Sequence, residues 1–141
     1  MKSDDGSTLP LTVFFAGLCC ALILLVVSAT SLYLERKRLF TLADGATLVG
    51  AEAFDLADVH STPHGFRPTL ETRDVAAAVT SYLASFPTAE FDGLSVDRAD
   101  STDGRSATVS LSAEWHPPVL SVLVPTGIRI EVTAVARSVF D

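Results

Sequence analysis

The sequence predicts an α+β fold made of a long N-terminal transmembrane helix that extends outward, a second short helix and a small three-stranded antiparallel sheet. Three observations predict it. An apolar run without charge follows a short charged start, a helical pattern continues beyond that run, and the C-terminal half changes to a period of 2 in its apolar and polar residues.

No charged residue lies between Gly6 and Leu34. A span of ~20 apolar residues crosses a bilayer as a helix, so residues 9–34 are assigned as the transmembrane helix and residues 1–8 as an N-terminal tail. Ser7 and Thr8 suit a helix N-cap, and Pro10 suits a first turn, where its missing N–H does no harm. Small residues at Val27-Ser28-Ala29 resemble a signal-peptide cut site. The apolar run is longer than a usual signal core, however, and Lys2 is opposed by Asp4 and Asp5, so a retained anchor is expected. Cys19 and Cys20 are read as small apolar side chains in lipid. There is no other cysteine in the sequence, which leaves the outer part without a disulfide.

The helical pattern then runs through Glu35-Arg36-Lys37-Arg38 into an outward extension, residues 35–59. Leu39, Leu42, Ala46, Val49, Ala53 and Leu56 recur at alternating steps of three and four, a narrow helix-packing seam, with Gly50 beside it. Each of Gly45 and Gly50 costs a helix ~1 kcal/mol relative to Ala. Close approach of another backbone offsets such a cost. Either the chain's own domain or a partner helix can supply that backbone, and the sequence leaves both open.

Pro63, Gly65 and Pro68 make residues 60–70 a turn-rich connector. His60 and His64 have the spacing of two ligands on a helix, but Pro63 breaks the helix that spacing needs, so no metal is expected there. Residues 71–141 form a small α+β domain. Its helix starts at Thr72 as cap, carries the stripe Val75, Val79, Tyr82, Leu83 and Phe86, and stops at Pro87. Ala107, Val109, Leu111, Ala113 and Trp115 alternate with polar residues, Ile128, Ile130, Val132, Ala134 and Ala136 alternate with Arg129, Glu131, Thr133 and Arg137, and both runs read as half-buried strands. A weaker strand, residues 93–99, precedes them through the turn at residues 100–104. Val119, Leu120, Val122, Leu123 and Val124, between prolines, are either a core plug or an apolar patch for a partner.

The formal net charge is −7, and beyond Leu39 there are 14 Asp and Glu against 6 Arg and no Lys. Nucleic-acid binding depends on clustered cations, so it is excluded. No Ser/His/acid set, phosphate loop or Cys/His cluster is present. Asp92, Asp97, Asp100 and Asp103 gather near a hairpin turn without the alternating register of a calcium loop. Hence no enzyme, no cofactor, no metal and no small-molecule substrate are expected.

Residues 4–55 carry a resemblance. The acidic-Gly-Ser start, the unbroken apolar helix, the basic knot at Arg36 to Arg38 and the run LADGATLVGAEAF resemble the N-terminal region of TadE/TadG-like proteins of Tad (Flp) pilus systems. That resemblance implies a pilin-like architecture and an accessory role, as a minor pilin-like or assembly component of such a pilus or a related secretion system. Implied partners are other pilin-like or pilus-assembly membrane proteins and the lipid bilayer. The implied location is a single pass in the cell membrane, with the N-terminus cytoplasmic and the C-terminal domain outside. Counting Arg36, Lys37 and Arg38 against Lys2 gives the opposite orientation. Gly6 and Ser7 flank the candidate processing site, but Leu11 stands where the processed family members carry Glu, so retention of residues 1–6 is expected. The competing class is a single-pass membrane-anchored binding or sensor protein unrelated to pili.

Overall fold

One uninterrupted helix, α1 (Thr8–Ala51, 44 residues), dominates the computed structural model, which describes residues 8–54, 60–62, 65–67, 69–118 and 126–138. Nothing in the basic knot breaks it, because Arg and Lys are good helix formers and all three cations point to solvent. At a rise of ~1.5 Å per residue α1 is about 66 Å long. The extension expected to residue 59 ends earlier. Ala53 N–H donates to the Gly50 carbonyl, which tightens the last turn, and Phe54 folds back onto the core.

The connector holds more structure than its prolines and glycine suggest. β1 (His60–Thr62) and β2 (Gly65–Arg67) pair antiparallel, with His60 opposite Arg67 and Thr62 opposite Gly65. A two-residue link joins them, the length at which a tight hairpin closes.

α2 (Thr72–Ser85) buries Val75, Val79 and Leu83, with Tyr82 half-buried, while Phe86 is 43% exposed and lies beyond the helix end. The cap differs from expectation. Glu71 occupies the N-cap without a side-chain capping bond, and the Thr72 hydroxyl instead donates to the Ser101 carbonyl at 3.2 Å. Thr72 therefore ties the start of α2 to the turn between two strands. A single 3₁₀ turn at Thr88–Glu90 then leads into the sheet.

The sheet has the order β3-β4-β5, all antiparallel, with β3 at Asp92–Asp100, β4 at Ser106–Trp115 and β5 at Ile128–Arg137. Alternation sorts its two faces as expected. Ala107, Val109, Leu111, Ala113 and Trp115 of β4 and Ile130, Val132 and Ala134 of β5 are buried under α1 and α2. Ile128, at the start of β5, is 46% exposed.

α1 covers the sheet with Leu39, Leu42, Ala43, Ala46, Thr47, Gly50 and Ala51. Four of these, Leu39, Leu42, Ala46 and Gly50, belong to the predicted seam. Val49 does not join them, since it sits at the edge of the covered arc, 36% exposed; Ala53 is half-buried and Leu56 lies outside the described residues. A seam with steps of three and four drifts by ~20° per heptad around a straight helix. The sheet and α2 are broad, so the buried arc widens to Ala43, Thr47 and Ala51 instead of following that drift. The buried Thr47 hydroxyl is satisfied by the Ala43 carbonyl at 2.6 Å.

The glycines of the seam are where the helices meet. A Cβ on Gly50 would lie 3.2 Å from Val75 Cγ1 and 3.4 Å from Ala107 Cβ, and one on Gly45 would collide with the Tyr82 hydroxyl. The close neighbour of both is thus α2 of the same chain, joined at Gly50 by β4. Gly50→Leu should accordingly destabilise the domain. Overpacking costs about 1–3 kcal/mol and outweighs the ~1 kcal/mol that Leu gains as a helix former. The melting temperature in detergent should fall by several degrees; an unchanged or higher value would contradict this packing.

Candidate functional site at the helix–sheet junction

Along α1, residues 8–27 are exposed throughout, and the helix is long and apolar enough to cross a membrane. Contact with the folded domain begins with half-buried Ser28, Ser31, Leu32 and Glu35 and becomes complete at Leu39. From Thr8 to Thr30 the helix rises about 33 Å, close to the ~30 Å hydrocarbon thickness of a bilayer. The transition from an unpacked to a packed helix therefore comes after one bilayer's length. It falls inside the 9–34 segment assigned from hydropathy alone.

At that transition, Trp115 at the end of β4 donates its indole Nε1–H to Ser31 Oγ at 3.3 Å. The ring is buried, and an indole N–H in such a place needs a partner. At the other end of β4, Ala107 lies beside Gly50. Between these contacts β4 covers about 27 Å and α1 about 29 Å, so the two elements run antiparallel along their common length. The domain thus has a membrane-proximal end at Trp115 and Ile128, and a distal end at the β3–β4 turn. Val119, Leu120, Val122, Leu123 and Val124, read as a core plug or a partner patch, lie outside the described residues, as do Gly6 and Ser7. Leu11 is exposed on α1.

Two grooves flank the junction. Ala29, Leu32, Tyr33, Arg36, Arg129, Ile130 and Glu131 line one, and Val26, Val27, Thr30, Ser31, Leu34, Glu35 and Arg38 the other. Further along α1, Phe40 and Leu48 are exposed away from the sheet.

Apart from exposed Val135, the uncovered sheet face is polar, and it is tied across all three strands. Arg129 Nη2 on β5 donates to Asp97 Oδ1 on β3 at 2.9 Å and to Ser112 Oγ on β4 at 2.6 Å. Asp97 sits in a register shift between Val96 and Arg98, where an extra residue bends the strand. Hydrogen bonding from Ser112 foremost, with the charge of Arg129, holds its carboxyl below the usual range. Ser110 and Thr133 bond across β4 and β5 at 2.8 Å. Strand alternation signals which residues share this face, but the irregular step that brings Asp97 to Arg129 has no mark in the sequence.

The four aspartates do not converge. Asp92 lies 3.5 Å from His116 Nδ1, Asp97 engages Arg129, Asp100 engages Arg98 at 2.9 Å, and Asp103 closes the turn. Among the described residues no group of three or more His, Cys, Asp or Glu could hold a metal. Asp103 Oδ1 accepts the backbone N–H groups of Arg105 and Ser106 at 2.9 and 2.7 Å, and Oδ2 accepts the Ser106 hydroxyl at 2.9 Å. Gly104, with φ at +66°, supplies the left-handed step beside it and accepts Leu70 N–H through its carbonyl.

A family model described as "Tad: Putative Flp pilus-assembly TadE/G-like" matches residues 6–53. Searches of curated proteins and of solved structures returned no significant match. The matched residues take in the whole of α1. Together with a helix able to cross a membrane once, the match supports a pilus-assembly-associated membrane protein in general terms.

The turn gives a pH prediction. The backbone N–H groups of Arg105 and Ser106 depress the Asp103 pKa from 3.8 to about 2. A depressed carboxylate contributes stability that is present above its unfolded value and lost as the pH falls through the folded one. Between pH ~4 and ~2 the difference in melting temperature between the parent and Asp103→Ala should therefore shrink. A constant difference across that window would show that ionisation of Asp103 plays no part.

Proposed function

We propose that this chain is an accessory component, minor pilin-like or assembly-related, of a Tad/Flp-type pilus or a related secretion system. The observation that carries the reading is the coincidence of the family match at residues 6–53 with one continuous helix, Thr8–Ala51, that serves as apolar anchor and as domain core. Above the bilayer its outer side still presents Phe40 and Leu48, two large apolar side chains that its own domain leaves exposed. In this reading they meet the helix of another pilin-like or pilus-assembly membrane protein. The N-terminus is cytoplasmic and the sheet lies outside.

Leu48→Lys tests the partner surface. Leu48 is 54% exposed, so the substitution should leave the melting temperature within a degree or two. Recovery of pilus-assembly proteins after crosslinking in native membranes should fall at least severalfold. Unchanged recovery would move the contact elsewhere, and the absence of any pilus-assembly protein from the parent's crosslinks would favour an anchored binding protein instead.

Orientation is tested at the distal turn. A cysteine at exposed-turn position Thr102 should react with a membrane-impermeant maleimide on intact cells with a permeabilised wall. Labelling only after lysis would place the domain in the cytoplasm, as the count of basic residues favours.

A further inference from the structure

We propose that the outer edge of β5 receives an extended strand of another polypeptide as a fourth strand of the sheet. This surface is separate from Leu48, and the inference does not depend on a role in pili.

The hydrogen-bond phase of β5 carries the argument. β5 ends the strand order, with β4 on one side only. Ser138 N–H donates to the Arg105 carbonyl at 2.9 Å, and this pair continues the register in which Ser106 faces Arg137. Bonded and non-bonded pairs alternate in an antiparallel ladder. Arg129, Glu131, Thr133, Val135 and Arg137 therefore turn their N–H and C=O groups away from β4. All five residues are exposed, and those backbone groups have no partner among the described residues. Donors and acceptors that recur every second residue along a strand match one ligand chemistry, another extended backbone.

The two edges of the sheet are treated differently. β3 carries two register shifts and four charged residues in nine, which are devices that blunt an edge. β5 pairs regularly over all ten residues, has no Pro or Lys, and points only apolar side chains inward. It lacks each of those protections.

The surroundings specify the incoming strand. Leu32 and Tyr33 of α1 stand across a groove from residues 129–131, so its inward side chains near the membrane are apolar. On the outer face, Glu131 and Arg137 have no ion-pair partner among the described residues, so a base opposite the first and an acid opposite the second complete the match. A second copy does not fit this edge. β5 runs in the same direction as α1, so antiparallel pairing of two β5 strands would send their anchors in opposite directions, which one membrane forbids. A copy turned about the membrane normal would bring its β3, the irregular edge.

The test uses the full chain in nanodiscs at one copy per disc, with amide exchange read by NMR. The probe is a ten-residue peptide with Val at alternate positions and Thr between them, except for a Lys and a Glu placed to face Glu131 and Arg137. Without peptide, the amides of Glu131, Thr133 and Val135 should exchange about a hundredfold faster than those of Val132 and Ala134, and saturating peptide should slow them by about tenfold or more. Val135→Pro removes one outward N–H where an edge strand tolerates proline, and should weaken peptide binding about fivefold or more. Val135→Thr keeps that N–H and should bind like the parent. If Val135→Pro fails to fold, the exchange pattern of the parent with and without peptide still decides. No slowing by the peptide, or equal binding by Val135→Pro, would overturn the proposal. So would slow exchange of the three amides before peptide is added. Loss of that protection in Val122→Pro would make residues 119–125 the occupant, and protection seen only at two copies per disc would make it a second copy.

Discussion

One helix has to satisfy two solvents. Up to about Thr30, α1 offers apolar side chains on every side, as a hydrocarbon environment requires; beyond it, only one arc may be apolar, because the rest meets water or a partner. The small residues of the second half follow from this constraint. Ala43, Ala46, Gly50 and Ala51 bring the α1 backbone close to α2 and β4, so a 14-residue helix and three strands suffice to cover the arc. The domain is therefore built around its own anchor and cannot complete its core without it.

That dependence gives the domain a defined attitude to the membrane. Trp115 bonded to Ser31 fixes the proximal end, and the Gly50 contact with Val75 and Ala107 fixes the distal one. The remaining strengths of the sheet are polar. The uncovered face is tied by Arg129, Asp97 and Ser112, and the far turn by Asp103, so no second apolar layer is called for. Exposed charge pairs of this kind contribute little to stability individually. Their evident effect is to hold three strands of unequal regularity in one register.

Much of this architecture is legible in the residues. The alternation in β4 and β5 and the stripe Val75, Val79 and Leu83 specify burial because one face of each element must leave water, and period alone identifies that face. The candidate seam is legible in Leu39, Leu42, Ala46 and Gly50, and misleading at Val49, because a coiled-coil spacing assumes a narrow partner and the real cover is a sheet with a second helix. The β1–β2 hairpin hides in a segment where Pro63 and Gly65 signal only turns. Thr72 has the chemistry of a cap and uses it on Ser101, a choice made by tertiary contact. The junction itself was the least accessible: Ser31 looks like one more tolerated polar residue in an apolar span until Trp115, far along the chain, reaches it.

The central claim is that anchor and domain form one cooperative unit, and amide hydrogen exchange of the full chain in nanodiscs addresses it most directly. Amides of residues 39–50 in α1 and 109–113 in β4 should exchange through the same opening, with matching protection and a matching response to mild denaturant. Protection of 39–50 several orders of magnitude below that of 109–113 would contradict the account, since the helix would then come away from a sheet that keeps its own structure.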